Sequence, residues 1–294
     1  MTRLPPTERE SPKSSGLDAM STAELVTLIA SDQREAVDAV LAQTAAIAQA
    51  IDEIARRMRS GGVLHYLGAG SSGRIATLDA SEMPPTFGTP AELVQAHVAG
   101  GAAALVRSME GAEDDAQAGA AVVRDFVHPQ DAVVGLSASG SAAFVVTALA
   151  QATARGAFTV ALTSVPDSAL ALAASHPIVL ETGAEVLTGS TRLKAGTAQK
   201  IALNAISTGV MVRLGKVYDN LMVDVVASNR KLRARALRLV ERLARVDEPQ
   251  ARELLAAAEG RVKVAVVMER RHVDAAEARD LLERCDGALR PLLQ

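Results

Sequence analysis

Two short loops rich in glycine and serine carry groups that could hold a small anion. The first, residues 68–73, reads Gly-Ala-Gly-Ser-Ser-Gly and follows a short apolar run. Its glycine spacing resembles that of a dinucleotide-binding loop, but a proline-rich stretch follows where an acidic ribose-binding residue is needed. Backbone N–H groups at a helix start, with Gly70, Ser71 and Ser72, therefore favour a terminal phosphate. The alternative is a tight turn whose glycines only permit close packing.

The second loop follows an apolar run that ends at Leu136. Its hydroxyl groups lie on alternate residues around Gly140, at Ser137, Ser139 and Ser141. Three hydroxyls and the N–H groups of a following helix can hold phosphate oxygens without a lysine. Serines at a helix start are also ordinary caps. Because the chain has two such loops, we interpret them as parts of one anion pocket.

A third polar segment, residues 185–200, precedes a helix predicted over about 197–214. Its polar side chains are crowded into ten positions: Glu185, Thr188, Ser190, Arg192 and Lys194. This density is unusual for a mere connection, because functional side chains are often carried on loops. Arg192 or Lys194 could hold a carboxylate of a ligand. The alternative is a set of surface charges that cap the helix.

Acidic and histidine residues are the other candidates for chemistry. Glu82 precedes two prolines, where it could cap a helix or form a salt bridge, and Glu113 lies in an acidic run that could be a solvated face. The five histidines are too scattered along the chain to suggest a metal site. The single cysteine, Cys285, cannot form an internal disulfide and favours a reducing compartment.

Strands that alternate with helices must position these loops. Apolar runs at residues 63–67, up to 136, 158–164 and 176–182 are each followed by sequence compatible with a helix. This order predicts an α/β fold, a doubly wound parallel sheet with helices on both faces. Ligands of such sheets bind at the carboxyl ends of the strands, where both glycine and serine loops fall.

The chain divides into three predicted regions. Residues 1–20 are polar and proline-containing and form an N-terminal arm. Residues 21–225 form the α/β domain that carries the anion-binding loops, which opens with helices that start at a capping box of Ser21 and Glu24. Residues 226–294 form a small helical subdomain. Its basic run, residues 230–245, alternates with leucines and is interpreted as a solvated helix face rather than a nucleic-acid surface.

Composition excludes several classes of partner. The formal net charge is −3, and the chain has no Trp, two Tyr and four Phe, so it lacks stacking platforms for nucleic acid. The N-terminus has no apolar core of a secretion signal, and no charge-free apolar stretch is long enough to span a membrane. We therefore expect a soluble, cytoplasmic protein that binds neither nucleic acid nor membrane.

Three longer runs resemble the N-acetylmuramic acid 6-phosphate etherases of the sugar isomerase (SIS) domain superfamily. They are LGAGSSGRIATLDASEMPPTFGTP, MEGAEDD and EVLTGSTRLKAGTAQKIALNAISTGVMVRLGKVYDNLMVDV. The resemblance extends from about residue 7 to the C-terminus. It implies an SIS fold with a small C-terminal helical domain, and a homodimer with active sites near the subunit contact.

The resemblance also implies a reaction and its residues. The family splits the ether that links D-lactate to C3 of the sugar, which yields N-acetylglucosamine 6-phosphate in the recycling of cell-wall fragments. By resemblance Glu113 is the base at C2 and Glu82 is the acid. The open-chain aldehyde acidifies the C2 proton, so one carboxylate and one carboxylic acid suffice, and neither a metal nor a cofactor is required.

One loop departs from the family pattern, and three other functions compete. The second loop usually continues with Arg-Thr-Pro, whereas this chain has Ser141-Ala142-Ala143, in which Ser141 could restore one hydroxyl. A sugar-phosphate sensor related to the glucokinase regulatory protein would not need both glutamates. An aldose–ketose isomerase would release no lactate. A DNA-binding regulator would need a helix-turn-helix, but the helices over residues 21–59 are acidic and rich in Ala.

Overall fold

The protein is described here by a computed structural model that covers residues 4–225 and 230–294. Within these residues the chain divides into two compact units. Unit 1 comprises residues 4–80 and 92–207, and unit 2 comprises residues 81–91 together with the chain from residue 208 onward. The short segment after residue 80 groups with the C-terminal unit, and the predicted domain boundary after residue 225 stays a prediction.

Unit 1 is built on a five-stranded sheet in which all described strands are parallel. Its strands are β1 (Leu64–Gly68), β2 (Val94–Val98), β3 (Ala132–Leu136), β4 (Phe158–Thr163) and β5 (His176–Val179). The strand order is β2-β1-β3-β4-β5, which is a doubly wound order with its switch point between β1 and β3. The predicted fold class is confirmed, although β2 was not among the predicted strands.

The first nine α-helices of the described chain lie between residues 22 and 213. They are α1 (Thr22–Asp32), α2 (Arg34–Ala42), α3 (Thr44–Arg59), α4 (Gly70–Ser81), α5 (Met83–Phe87), α6 (Ala116–Phe126), α7 (Ala143–Ala154), α8 (Ala169–Ala173) and α9 (Lys194–Arg213). The predicted capping box is confirmed, since Ser21 and Glu24 exchange side-chain and backbone hydrogen bonds at the start of α1. Helix α5 belongs to unit 2, and the division between the units falls within α4 and α9.

Helices cover both faces of the sheet because its central strands are apolar on both sides. Leu67 and Val133 pack with residues of α7 in one buried cluster. Strand side chains alternate between faces, so Tyr66 points the other way, where its hydroxyl donates to Asp79 of α4. Asp79 also accepts hydrogen bonds from Asn204 and Ser207 of α9. Burial raises the pKa of Asp79, while its hydrogen bonds oppose that shift.

The register of the strands brings the two small-residue loops to one edge. Gly68, the last residue of β1, is aligned with Leu136, the last residue of β3. Each loop therefore leaves the sheet at the same level, on neighbouring strands. The N-terminal arm contains three short 3₁₀ turns, Pro6–Glu8, Pro12–Ser14 and Leu17–Ala19, and it buries Thr7 completely.

Unit 2 is helical, as predicted for the C-terminal region. After α5 its elements are α10 (Arg230–Val240), a π-helical turn (Glu241–Arg245), α11 (Glu248–Ala257), α12 (Val262–Arg271), α13 (Ala275–Arg284) and α14 (Arg290–Leu293). Leu239 and Leu243 of the basic run are buried in its apolar core, and Asp247 caps α11. In the part of the chain that the structure describes, no helix combines the length and hydropathy that a membrane span needs.

Candidate active site

The first loop is held by backbone packing rather than by side chains. A Cβ atom on Gly68 would lie 2.6 Å from the backbone nitrogen of Gly73, and one on Gly73 would lie 2.7 Å from Val98. These two glycines therefore serve close packing, and the binding of a phosphate by this loop stays a prediction. Gly70 differs, because its φ is +52° and a Cβ there would meet nothing within 4 Å. Helix α4 starts at Gly70, so its first N–H groups lie at the loop.

The serines of the first loop have different surroundings. The hydroxyl of Ser72 donates to Oε1 of Gln199 on α9 at 2.8 Å. Ser71 is only half-buried. The loop thus offers helix N–H groups and Ser71 to a ligand, whereas Ser72 already has a partner within the protein.

The second loop is held by a chain of hydroxyl groups. The Oγ atoms of Ser137 and Ser139 are 3.5 Å apart, and those of Ser139 and Ser141 are 2.8 Å apart. The chain runs from buried Ser137 to exposed Ser141. Helix α7 has Ala142 at its N-cap, with no side-chain cap. The three serines are therefore not the caps of α7, and its first N–H groups remain for a ligand.

Glu113 shares a cavity with the first loop. It lies in the 3₁₀ turn Ala112–Asp114, and its side chain is exposed. A cavity of about 330 Å³ is lined by Glu113, Gly70, Arg74 and neighbouring residues. The guanidinium of Arg74 donates to the carbonyl groups of Ala104, Leu105 and Arg107, which fixes the opposite wall. A carboxylate is thus placed beside a loop with free N–H groups, as a base beside a bound phosphate sugar requires.

The neighbours of Glu113 have other tasks. Asp115 accepts a hydrogen bond from the N–H of Ala118 and caps α6. Glu110 lines the cavity with Glu113. The acidic run is therefore divided between a helix cap and the cavity, rather than forming one uniform solvated face.

Glu82 lies in unit 2, at the N-cap position of α5. Its side chain makes no capping hydrogen bond, although its carbonyl accepts from Thr86. The carboxylate is exposed. The helix-cap alternative for this side chain is thus contradicted by the geometry, and the role of Glu82 as an acid stays a prediction.

The third segment places its charged residues very differently. Arg192 is exposed and Ser190 is half-buried, so both are available to a ligand. Lys194 is only 1% exposed and is the first residue of α9, three positions before the predicted start. Its Nζ atom pairs with Asp32, at 3.2 Å, and with Glu35.

Glu185 closes the other end of this segment. It is fully buried, and its carboxylate accepts hydrogen bonds from the N–H groups of Lys194 at 3.0 Å and Ala195 at 2.9 Å. Burial raises the pKa of Glu185, and the two N–H donors oppose the shift. The predicted cap on this helix therefore comes from Glu185, which reaches α9 from nine residues upstream.

The structure also brings together two histidines that the sequence analysis treated as scattered. Nδ1 of His65 lies 3.1 Å from Nε2 of His97, and Nε2 of His65 lies 3.4 Å from Asp131. Burial lowers the pKa of both imidazoles, that of His97 to about 4. The signal was hidden because His97 lies on β2, the strand that the sequence analysis missed.

The sheet order and the two loops at its carboxyl edge define a doubly wound protein of the SIS type. Residues 46–153 match the family model for the glucokinase regulatory protein N-terminal SIS domain. The fold is similar to that of a phosphoheptose isomerase from Francisella tularensis, with a TM-score of 0.53 and 20% identity over 66% of this chain and 100% of the other.

Two curated relatives cover almost the whole chain. An N-acetylmuramic acid 6-phosphate etherase of Symbiobacterium thermophilum is 51% identical over 89% of this chain and 87% of its own length. One from Picosynechococcus is 47% identical over 98% of this chain and 96% of its own length. The chain belongs to the N-acetylmuramic acid 6-phosphate etherase family, and the resemblance seen in its sequence is confirmed.

Proposed function

We propose that this chain cleaves the lactyl ether of N-acetylmuramic acid 6-phosphate to give N-acetylglucosamine 6-phosphate and D-lactate. The observation that carries the proposal is the identity of about half of all residues with etherases over nearly the full chain. The cavity that joins Glu113 to the first loop supports it. The reaction belongs to the recycling of cell-wall amino sugars, and the lone Cys285 agrees with the reducing cytoplasm as its compartment.

Glu113 is the base in the proposed mechanism. The ring-opened sugar carries an aldehyde at C1, so loss of the C2 proton gives an enolate whose charge the carbonyl oxygen shares. The carboxylate of Glu113 takes that proton. The electrons of the C2–H bond then form the C2–C3 double bond, and the C3–O bond to lactate breaks.

Glu82 is the acid that completes this elimination. The leaving lactate oxygen takes a proton from the carboxylic acid of Glu82, so it departs as a neutral hydroxyl group. Water then adds to C3 of the unsaturated aldehyde and C2 regains a proton, which yields the product. The chemistry balances with one water consumed and no redox change, and each step uses groups of the chain or solvent.

The small-residue loops and the third segment bind the two charged ends of the substrate. Phosphate accepts hydrogen bonds from the N–H groups that begin α4 and α7, from the hydroxyl of Ser71 and from the serine hydroxyls of the second loop. The lactyl carboxylate pairs with Arg192, beside the hydroxyl of Ser190, because a guanidinium binds a carboxylate through two parallel hydrogen bonds. Lys194 does not contribute its charge to the ligand, since its ammonium already pairs with Asp32 and Glu35.

A homodimer is part of this proposal. Large apolar side chains of α1 and α2 are exposed: Val26 by 62%, Ile29 by 40%, Val37 by 45% and Leu41 by 63%. Such side chains on adjacent helices suit a subunit contact. We expect a dimer in light scattering, and a monomer for the double variant V26D/L41D. A wild-type monomer at micromolar concentration would contradict the dimer.

The test of the function is D-lactate release from N-acetylmuramic acid 6-phosphate. We expect release by the wild type and a loss of at least about a thousandfold in Glu82→Gln and in Glu113→Gln. Asp114→Asn is the matched control, because it removes an exposed carboxylate next to Glu113 and should retain activity. A folded wild type that releases no lactate would contradict the proposal.

Isotope exchange separates the two glutamates. In deuterated water Glu113→Gln should fail to exchange the C2 hydrogen of the substrate, whereas Glu82→Gln should exchange it without releasing lactate. In water enriched in ¹⁸O the label should appear at C3 of the product. If Glu113→Gln exchanged the C2 hydrogen at the wild-type rate, Glu113 would not be the base.

A sugar-phosphate sensor is the second candidate function. The observation in its favour is the match of residues 46–153 to an SIS domain of a regulatory protein. A sensor would bind N-acetylmuramic acid 6-phosphate with measurable heat in calorimetry but leave it intact. Lactate release at a catalytic rate excludes this candidate.

A further inference from the structure

The ammonium of Lys194 is the centre of a buried charge network in unit 1. Its Nζ atom contacts Asp32, which is buried, and Glu35 on the next helix. A second lysine, Lys13 of the N-terminal arm, contacts the same two carboxylates. Two cations therefore face two anions, and the network is neutral as a whole. Because the ammonium of Lys194 is already paired with two carboxylates, it is not available to bind an anionic ligand.

The network fastens the N-terminal arm to the third segment. Lys13 comes from the arm, Asp32 and Glu35 from the junction of α1 and α2, and Lys194 from the first turn of α9. A second contact lies nearer the N-terminus, where Glu8 is next to Gly189 of the third segment. A Cβ atom built on Gly189 would lie 3.2 Å from Oε2 of Glu8. The arm thus lies against the middle of the segment at Gly189, and it is linked to the end of the segment through Asp32 and Glu35.

Glu185 fixes the segment from the inside. Its carboxylate bridges to the N–H groups of Lys194 and Ala195, so the chain between residues 185 and 194 is closed into a loop. Turn hydrogen bonds tighten this loop, including those from Ser190 N–H to Leu187 and from Leu193 N–H to Ser190. Ser190 and Arg192, the proposed ligands of the lactyl carboxylate, lie within it.

We propose that Lys13, Glu185 and Lys194 are positioning residues, which hold residues 187–193 in the geometry that binds the substrate's carboxylate, with the N-terminal arm as an external strap. The proposal rests on the proposed function for the role of Ser190 and Arg192. It adds a role for the arm. Preorganised binding groups lose less entropy when the ligand arrives, so a loosened loop should bind more weakly while the chemical step is retained.

The experiment compares Lys13→Met with its conservative partner Lys13→Arg. Lys13 has a half-exposed side chain, so its loss leaves the fold intact. We expect Lys13→Met to raise KM about tenfold, with kcat within about twofold of the wild type and an unchanged thermal midpoint. Lys13→Arg should restore KM, because a guanidinium reaches the same carboxylates. The control is Arg124→Gln, which breaks an exposed ion pair with Asp125 elsewhere in unit 1.

A second readout does not depend on turnover. Hydrogen exchange by mass spectrometry should show faster exchange of peptides covering residues 187–193 in Lys13→Met than in Arg124→Gln. The same acceleration is expected in Glu185→Gln, which weakens the acceptor for two N–H groups. Unchanged exchange and unchanged KM in Lys13→Met would overturn the positioning role. If the wild type released no lactate, only the proposed function would fail. The hydrogen-exchange result would still show whether the N-terminal arm holds residues 187–193 in place.

Discussion

The two small-residue loops lie side by side at one edge of the sheet, yet they are held in opposite ways. In the first loop backbone atoms approach each other so closely that Gly68 and Gly73 leave no room for a side chain. In the second loop the hydroxyls of Ser137, Ser139 and Ser141 form the internal contacts. Close backbone packing thus dominates in the first loop, to which Ser72 adds one hydrogen bond with Gln199. In the second loop the hydroxyl contacts add to backbone hydrogen bonds such as that from Gly140 N–H to Ser137.

This difference assigns separate tasks to the loops. The backbone-packed loop presents the N–H groups of α4 at a fixed place, whatever its side chains do. The hydroxyl chain of the second loop can rearrange, because each hydroxyl rotates and can either donate or accept. A phosphate could thus meet one fixed wall and one adaptable wall.

The largest effect should come from filling the first loop. In Gly68→Ala the new Cβ would lie 2.6 Å from the backbone of Gly73, and backbone cannot move aside cheaply. We expect a loss of about 3 kcal/mol of unfolding free energy in urea titrations, with lactate release lost. Gly70→Ala is the comparison, because its Cβ meets open space and only the positive φ is strained, at about 1 kcal/mol. Equal losses in both variants would refute the packing argument.

A glycine-to-alanine substitution in the second loop should cost less unfolding free energy than the one in the first loop. Gly140 has a φ of +67°, and its Cβ would contact Ser168 and lie 2.8 Å from Oγ1 of Thr163. The two hydroxyl oxygen atoms can rotate away, but the Cβ of Ser168 also contacts the new Cβ and moves only with its backbone. We expect the connection before α8 to shift more cheaply than the packed start of α4, so Gly140→Ala should lose about 2 kcal/mol. Gly183→Ala, with a φ of +70° and open space around its Cβ, separates the strain from the contact. A loss for Gly140→Ala above that of Gly68→Ala would reverse the comparison.

Acid should loosen the first loop before the second. The end of β2 supports the first loop, since Ala99 N–H donates to the carbonyl of Gly68, and His97 precedes this support. Burial lowers the folded-state pKa of His97 to about 4, and that of His65 is also lowered, although Asp131 opposes the shift. Between about pH 6.5 and 4 the unfolded state therefore binds more protons.

The sign of this linkage gives the third prediction. Stability should fall as the pH falls from 6.5 towards 4, by up to about 1.4 kcal/mol per pH unit for His97. Urea titrations across this range measure the slope, and His97→Gln should flatten it. Hydrogen exchange at the lower pH should rise in peptides from the first loop more than in those from the second. A slope unchanged in His97→Gln would assign the acid sensitivity to other groups.

Much of this architecture could be predicted from the sequence because its signals are local. The apolar runs before residues 68 and 137 and the capping box at Ser21 each depend on neighbours in the chain. Strand β2 was not predicted because Gln95 and His97 interrupt its apolar pattern. An edge strand needs less apolar surface than a central one. The pairing of His65 with His97 was then invisible as well.

The role of Lys194 could not be predicted for a different reason. Its partners, Asp32 and Glu35, lie about 160 residues earlier, and nothing in the local sequence tells a buried lysine from an exposed one. The exposed Arg192, two residues away, looks the same in the sequence. Lys194 is buried and paired because α9 packs against the junction of α1 and α2, whereas Arg192 stays exposed and available to a ligand.

Removal of single hydroxyls should give the smallest effects and the sharpest test of the two loops. The hydroxyl of Ser72 donates to Gln199, so Ser72→Ala should lose about 1 kcal/mol of unfolding free energy and change KM little. Ser139 lies in the middle of the hydroxyl chain, where a phosphate oxygen would accept a hydrogen bond from its hydroxyl. Ser139→Ala should therefore raise KM about tenfold, because a hydrogen bond to a charged group contributes about 1.5 kcal/mol or more.

The measurement for this pair is a set of KM values beside urea midpoints for the same preparations. Ser141→Ala should fall between the two variants, since its exposed hydroxyl pairs with that of Ser139 at 2.8 Å. If Ser72→Ala raised KM while Ser139→Ala lowered only the midpoint, the tasks of the two loops would be exchanged. The fixed wall would then be the one that selects the phosphate by its side chains, and the hydroxyl chain would serve the fold.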